Sequence, residues 1–201
     1  MFVSWRPPDP ESYAYLLGMY LGDGYVGRHS GTAQLLIVCD SGYGGIIEAC
    51  VAAIKRTSLR DHVGVHPYGH QRCVRVMCTW KGWPDAFPQH GPGRKHTRPI
   101  VLADWQQRIV DQHPWAFLRG LLHSDGCRTV NRFKTRLPSG RVAEYEYPRW
   151  FFSNRSADIR ALFCEYCERL GIRWTQSNAR NISISHGGSV ARLDAFVGAK
   201  S

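Results

Sequence analysis

Two aspartates stand at the ends of two similar segments, and their setting indicates metal chemistry. Residues 14–24 read AYLLGMYLGDG and residues 116–126 read AFLRGLLHSDG, and the two align without a gap. Each segment ends in Asp-Gly, with Asp23 in the first copy and Asp125 in the second. Hard divalent cations prefer carboxylate and backbone carbonyl oxygens. We therefore predict that Asp23 and Asp125 hold a divalent cation, with the carbonyls of Gly22 and Ser124 as further ligands.

Small residues recur along both segments at helical spacing. They lie four positions apart, so in a helix they share one face; they are Ala14, Gly18 and Gly22 in the first copy and Ala116, Gly120 and Ser124 in the second. Glycine inside a helix costs about 1 kcal/mol relative to alanine, so its presence at matching positions suggests that two backbones approach closely. We expect the two helices to pack together across a pseudo-twofold axis.

The predicted helices also carry signals at their ends. Asp9 is suited to cap the first helix and Pro10 to begin it, and Pro114 begins the second. Gly24 and Gly126 are suited to the left-handed turn that ends a helix. The two aspartates then lie at two negative helix ends, where their charges repel and a bound cation would relieve the conflict.

The segments that follow each aspartate repeat as well, which predicts a duplicated fold. Alternating runs read as strands and amphipathic runs read as helices. The predicted elements are strands at 33–39, 128–137 and 144–153, helices around 46–54 and at 158–170, hairpins at 63–80 and 173–186, and a turn at 138–140. The predicted organisation is an N-terminal repeat at 1–88, a connecting loop and short helix at 89–110, and a C-terminal repeat at 111–201.

The two segments resemble a known motif. LLGMYLGDG (16–24) and LRGLLHSDG (118–126) are similar to the two copies of the LAGLIDADG motif in single-chain homing endonucleases. The sequence departs from the motif at its sixth position, which is Leu21 in one copy and His123 in the other, and that position is not the family's metal ligand.

The resemblance implies both a fold and an activity. The fold is α+β, a pseudo-twofold duplication of αββαββα, with two saddle-shaped antiparallel sheets and the motif helices at the central interface. The activity is hydrolysis of double-stranded DNA by a monomer at a long pseudo-palindromic or asymmetric target. Mg²⁺ is the expected cofactor, with Mn²⁺ able to replace it and Ca²⁺ binding without supporting cleavage.

The charge of the chain agrees with a nucleic-acid partner. Lys and Arg total 26 against 16 acidic residues, a net charge of +10, which favours a polyanion as partner. Arg128, Arg132, Lys134 and Arg136 alternate and are predicted to share one face of a strand, to which the next strand adds Arg149. The weaker set in the first half is Arg28, His66, His70, Arg72 and Arg75.

A basic side chain near the aspartates is expected to stabilise the charge that develops during hydrolysis. Lys95, Arg94 and Arg98 in the joining loop and Arg180 in the second half are the candidates. We assign Lys95 to catalysis and Arg94 and Arg180 to DNA contacts.

Other functions remain open at this point. The same scaffold could serve a DNA-binding regulator that does not cleave or an intron RNA maturase, and an RNA-processing or scaffolding protein is a further alternative. Cys164 and Cys167 form a C-x-x-C, but they lie in a predicted amphipathic helix without a second ligand pair, which favours a core role over zinc. Seven scattered cysteines and the lack of a long apolar span suggest a cytoplasmic protein, at the nucleoid if the host is bacterial, with no membrane partner.

Overall fold

The chain folds as two copies of one arrangement of helices and strands. The computed structural model describes residues 5–69 and 72–198; His70 lies outside them. The first copy runs α1 (Pro10–Asp23), β1 (Gly24–His29), β2 (Thr32–Asp40), α2 (Gly44–Ser58), β3 (Gly64–Pro67), β4 (Cys73–Thr79) and α3 (Trp83–Ala86). The second runs α5 (Pro114–Asp125), β5 (Gly126–Arg136), β6 (Val142–Ser153), α6 (Ala157–Arg169), β7 (Thr175–Gln176), β8 (Asn181–Ile184) and α7 (Gly187–Val197). The predicted duplication of αββαββα is confirmed.

The connection between the copies contains a short 3-10 turn, Lys95–Thr97, and a helix, α4 (Asp104–Gln112). A buried amide holds this helix against the first copy, because Gln106 donates to the Tyr13 hydroxyl at 2.6 Å. The backbone N–H of Ile100 donates to the Asp158 carboxylate of α6 at 2.7 Å. The connection is therefore fixed to both copies, which positions the loop that carries Lys95.

Each copy has its own four-stranded antiparallel sheet. The strand orders are β1-β2-β4-β3 and β5-β6-β8-β7, so the two sheets have the same topology. The β1–β2 hairpin closes on Ser30 and Gly31, both with positive φ, as a two-residue hairpin turn requires. The longer β5–β6 hairpin turns at residues 138–140, as predicted, with Gly140 at a φ of 80°.

Among residues 5–69 and 72–198, the helices cover one face of each sheet and leave the other face free. In the first sheet Leu35, Ile37 and Val76 point to the covered face and are buried. In the second, Trp150 and Phe152 do the same, and Phe152 stacks on Phe163 of α6 with ring centroids 4.1 Å apart. Because successive side chains along a strand point to opposite faces, every second residue of each strand faces the helices and the residues between them face away.

The two copies meet along α1 and α5, whose backbones are in direct contact. A Cβ atom added to Gly18 would lie 2.5 Å from the Phe117 carbonyl oxygen, and one added to Gly120 would lie 3.0 Å from the Gly18 Cα atom. The first distance is too short for a real side chain, and the Cβ on Gly120 would also overlap the Tyr15 carbonyl oxygen, so the absence of a Cβ is what permits this contact. The predicted helix pair is confirmed.

The prediction of left-handed turns at Gly24 and Gly126 is wrong. Both have extended backbone, with φ and ψ of −91° and 153° at Gly24 and −89° and 155° at Gly126, because each helix passes directly into a strand. Glycine is needed here for space: a Cβ on Gly24 would lie 2.5 Å from the Tyr20 Cα, and one on Gly126 would lie 2.8 Å from the Leu122 Cα.

In the described residues, no helix is long and apolar enough to cross a membrane.

Candidate active site and nucleic-acid interface

The C-terminal ends of α1 and α5 bring the two motif aspartates into one site. Asp9 caps the start of α1, where its carboxylate accepts from the Ser12 backbone N–H at 3.0 Å, and α1 then ends at Asp23. The equivalent end of α5 is Asp125. A Cβ on Gly22 of α1 would lie 2.8 Å from Oδ2 of Asp125, so the second copy's carboxylate reaches the first copy's helix.

Lys95 lies against the terminus of α1 and binds it. Its ammonium donates to the carbonyls of Gly22 and Gly24, each at 2.9 Å, and to that of Tyr20. Burial lowers the pKa of Lys95 to about 8, although the carboxylates of Asp23 and Asp125 act in the opposite direction. A cation here neutralises the negative end of α1.

This contact changes the ligand set that the sequence predicts. The carbonyl of Gly22, expected to bind metal, accepts a hydrogen bond from Lys95. The Ser124 hydroxyl donates to the Leu121 carbonyl of its own helix at 3.0 Å, while the expected ligand, the Ser124 backbone carbonyl, stays a prediction. The two carboxylates are thus the main candidate ligands.

The donor set at this site suits a hard cation. In the part of the chain that the structure describes, no three His, Cys, Asp or Glu side chains cluster as a complete metal site. Mg²⁺ is commonly held by one or two carboxylates and keeps several waters, whereas structural zinc needs four N or S ligands. The residues present therefore fit Mg²⁺ and do not fit structural zinc, and Cys167 is buried in α6, as predicted.

Asn154 is a residue of the candidate site that the sequence pattern does not predict. It follows β6, and its Nδ2 donates to Oδ2 of Asp125 at 2.6 Å. Its own Oδ1 accepts from the Ser156 backbone N–H at 2.7 Å, which fixes the side chain with its amino group toward Asp125. The signal in the sequence is the run Asn154–Ser156 before a helix, where a polar side chain commonly binds backbone.

The two aspartates face different surroundings. The cavity beside Asp125 is lined by Lys95, His96, Asn154 and Arg155. The cavity beside Asp23 is lined by Asp40, Tyr43 and Cys73 of the first copy, together with Cys127 and Arg128 of the second. The site is therefore pseudo-symmetric in its backbone and asymmetric in its side chains.

The basic strand β5 does not present the surface that its alternation predicts. Arg128 pairs with Trp150 in the register, so it points to the helix-covered face. There its guanidinium binds Asp194 of α7 through two hydrogen bonds of 3.0 and 2.8 Å. Arg128 therefore connects the sheet to α7, and its assignment to DNA binding stays a prediction that this contact does not support.

The other members of that set divide between the two faces. Arg132, Lys134 and Arg136 do share a face with Arg128, as the alternation requires, and the first two form ion pairs with Glu146 and Glu144 across the hairpin. Arg149 pairs with Thr129 and so lies on the opposite, helix-free face, not with the other four as predicted. There it donates to the Ser183 hydroxyl at 2.5 Å.

The first-half set is likewise divided. His66 and Arg75 are register partners on the helix-free face, and Arg75 lies over the Tyr68 ring at 4.9 Å. Arg28 pairs with Ala33 and is on the other face, while Arg72 is exposed just before β4. Arg94 is exposed in the joining loop, and Arg180 is exposed in the β7–β8 turn.

Comparison with solved structures identifies the fold. The chain is similar to the LAGLIDADG meganuclease I-AabMI, solved bound to uncleaved DNA, with a TM-score of 0.57, 11% identity, and coverage of 92% of this chain and 82% of that one. It is also similar to the I-LtrWI LAGLIDADG homing endonuclease bound to target DNA, with a TM-score of 0.53, 10% identity, and coverage of 94% and 82%. The chain has the LAGLIDADG meganuclease fold.

The fold is not confined to meganucleases. Full-length DUF199/WhiA from Thermatoga maritima matches with a TM-score of 0.59 and 15% identity over 94% of this chain, which spans 55% of that protein. No protein-family model and no curated protein matches the sequence. The likeness is therefore one of fold, and function rests on the residues of the site.

Proposed function

We propose that this protein is a divalent-metal-dependent endonuclease of double-stranded DNA. The observation that carries the proposal is the meeting of Asp23 and Asp125 at the ends of two packed helices, with the Lys95 ammonium hydrogen-bonded to the end of α1. Two carboxylates with an adjacent buried cation are the groups that metal-assisted phosphodiester hydrolysis uses.

Asp23 and Asp125 would hold Mg²⁺, with the Ser124 carbonyl as a further ligand. When bound, the cation supplies charge neutralisation and lowers the pKa of a coordinated water. Asn154 holds Oδ2 of Asp125 in one orientation, and Lys95 places a positive charge where the phosphate gains negative charge. We further propose that Mn²⁺ replaces Mg²⁺ and that Ca²⁺ binds without supporting cleavage.

We propose duplex DNA as the partner, bound by a monomer at a long pseudo-palindromic or asymmetric target. Two of the proteins with this fold were solved bound to DNA, and the net charge of +10 favours a polyanion. The helix-free faces of the two sheets are the proposed contact surfaces, with His66 and Arg75 in the first copy and Arg149 in the second. A cytoplasmic location is part of the proposal.

The test is cleavage of a randomised duplex library in Mg²⁺ by the wild-type chain and by Asp23→Asn and Asp125→Asn. Site-specific cuts are expected from the wild type, and each substitution is expected to reduce the rate at least 100-fold while affinity for the selected duplex stays within about threefold. Retention of cutting in either variant would contradict the two-aspartate mechanism. Lys55→Gln, an exposed position on α2 with no proposed role, is the control and should still cut.

A second candidate function is that of a regulator or RNA maturase, which binds nucleic acid without cutting it. It is supported by the hydrogen bond from Lys95 to the Gly22 carbonyl, because that carbonyl is one of the expected metal ligands. Specific duplex binding with no cleavage in Mg²⁺ or Mn²⁺ would favour the regulator, and preference for a structured RNA over that duplex would favour the maturase.

A further inference from the structure

The longest hairpin of the protein extends beyond the sheet to which it belongs. β5 and β6 pair continuously from Gly126–Phe152 to Arg136–Val142. Within the described residues β8 pairs with β6 only over 150–153. Residues 129–149 therefore form a two-stranded ribbon that extends past the end of the third strand. A two-stranded ribbon is one of the two elements that the DNA major groove admits.

The helix-free face of this ribbon is aromatic. Phe133 and Tyr145 are register partners on that face and stack with ring centroids 5.2 Å apart. Tyr147 meets the Phe133 ring edge-on at 5.9 Å, and its hydroxyl accepts from Nδ2 of Asn131 at 2.9 Å. We call these four residues the aromatic face. Phe133 and Tyr145 are 43% and 44% exposed, so both rings are available to a ligand.

The charges of the ribbon lie elsewhere. The residues that alternate onto the helix-free face between Thr129 and Thr135, and between Ala143 and Tyr147, are all uncharged. On the opposite face Arg132 and Lys134 are paired with Glu146 and Glu144. Exposed Arg136 and Arg141 stand at the ribbon's tip, and Arg149 stands at its base. This distribution suits a DNA groove, because the cations at the two ends can contact phosphates while the neutral rings between them contact base edges.

Resting on the proposed function, we infer that the aromatic face reads thymine in one half of the DNA target. In the major groove the 5-methyl group of thymine is the apolar feature of a base edge, and it is contacted by apolar side chains such as phenylalanine. Phe133 is the residue that contacts the methyl group, while Tyr145 stacks on its ring and Asn131 and Tyr147 hold the two rings in place. The corresponding hairpin of the first copy, β1–β2, places Tyr25 opposite Leu36 on its helix-free face in place of two stacked rings, so we expect the two halves of the target to differ in sequence.

The inference is tested by binding, in buffer without divalent cations, so that cleavage plays no part. Duplexes bound by the full chain are selected from a randomised library, and each thymine of the selected site is then replaced by uracil, which lacks only the methyl group. We expect one to three adjacent positions at which uracil weakens binding about three- to fivefold, the effect of removing one buried methyl.

The variant Phe133→Ala is expected to abolish this discrimination between thymine and uracil. Val130→Ala is the matched control, since Val130 is 41% exposed on the opposite face of the same strand, and it should keep the discrimination. Specific binding with a uracil effect below twofold at every position would overturn the inference and leave the proposed function standing, as would an effect that persists in Phe133→Ala. Stronger binding of single strands or RNA than of any duplex would overturn both.

Discussion

At the scale of single residues, the site depends on side chains that come from outside the motif helices. Asp23 and Asp125 are supplied by the repeat, but Lys95 comes from the joining loop and Asn154 from the end of β6. Each binds an atom of the motif: Lys95 the carbonyls of α1, and Asn154 a carboxylate oxygen of Asp125. Groups of this kind hold a catalytic side chain in its working orientation.

The substitution Asn154→Ala is expected to lower the cleavage rate about tenfold while duplex affinity changes less than twofold. It removes the hydrogen bond that orients Asp125, and loss of such a supporting contact typically has an effect of 10- to 100-fold. The measurement is single-turnover cleavage on the selected duplex together with the dissociation constant.

Asn154 also accepts from the N–H of Ser156, the residue that caps α6, so a control must separate stability from orientation. Ser156→Ala removes the hydroxyl that accepts from the Ile159 N–H at 3.4 Å and does not touch Asp125. It should lower the melting temperature without slowing cleavage. An equal loss of rate in both variants would show that Asn154 acts only through stability.

At the scale of elements, α7 is joined to its sheet by a polar contact. Asp194 accepts two hydrogen bonds from Arg128 and a third from Nε1 of Trp150 at 2.8 Å. The hydrogen bonds from Arg128, and then that from Trp150, hold the pKa of Asp194 below its ordinary value of 3.8. The pair is partly exposed, and solvent screening therefore limits its contribution.

Because the pKa of Asp194 is lower in the folded state, its contribution to stability is present above the unfolded pKa near 4 and is lost as the pH falls through the folded value. Asp194→Asn is therefore expected to lower the melting temperature by about 2 °C at pH 7. That difference from the wild type should shrink below pH 4. Thermal unfolding followed by circular dichroism between pH 7 and pH 3 measures it.

The control for this prediction is Glu165→Gln, which breaks an exposed ion pair with Arg169 within one helix. Pairs of that kind contribute little, so its melting temperature should stay close to that of the wild type. A difference for Asp194→Asn that is constant with pH would show that shape rather than charge joins α7 to the sheet.

At the scale of the whole molecule, the two copies are held together by the contact of α1 with α5. The same contact sets the positions of the two aspartates, so stability and function depend on one interface. Gly18, Gly22 and Gly120 all lie at this contact, where a Cβ on any of them would meet the other helix. A larger side chain at its centre would separate the copies.

Gly120→Ala is therefore expected to destabilise the protein and lower the melting temperature by about 5 °C. In an ordinary helix the same change would stabilise by about 1 kcal/mol, but here the added Cβ would overlap the Tyr15 carbonyl oxygen and lie 3.0 Å from backbone atoms of Gly18 and Met19. Overpacking of this kind costs about 1–3 kcal/mol. Gly44→Ala is the control, because nothing lies within 4 Å of its Cβ position. A rise in melting temperature for Gly120→Ala would exclude close packing of the two helices.

The sequence by itself determined the features that depend on local pattern. The repeat located Asp23 and Asp125, the small residues predicted the helix pair, and alternation predicted the strands and the turn at 138–140. These follow from the chain because helix and strand periodicities are properties of neighbouring residues. The alternation also grouped Arg128 correctly with Arg132 and Lys134.

Only the tertiary structure decided which face of the second sheet is free of helices, and therefore which side chains Arg128 and Arg149 contact. Alternation tells which residues share a face, but the covered face depends on where α6 and α7 pack, which is a long-range contact. The same reason applies to Lys95 and Asn154, since a loop residue is brought to a site by the elements at its ends. The backbone repeat was thus readable from the sequence, and the unequal surroundings of the two aspartates were not.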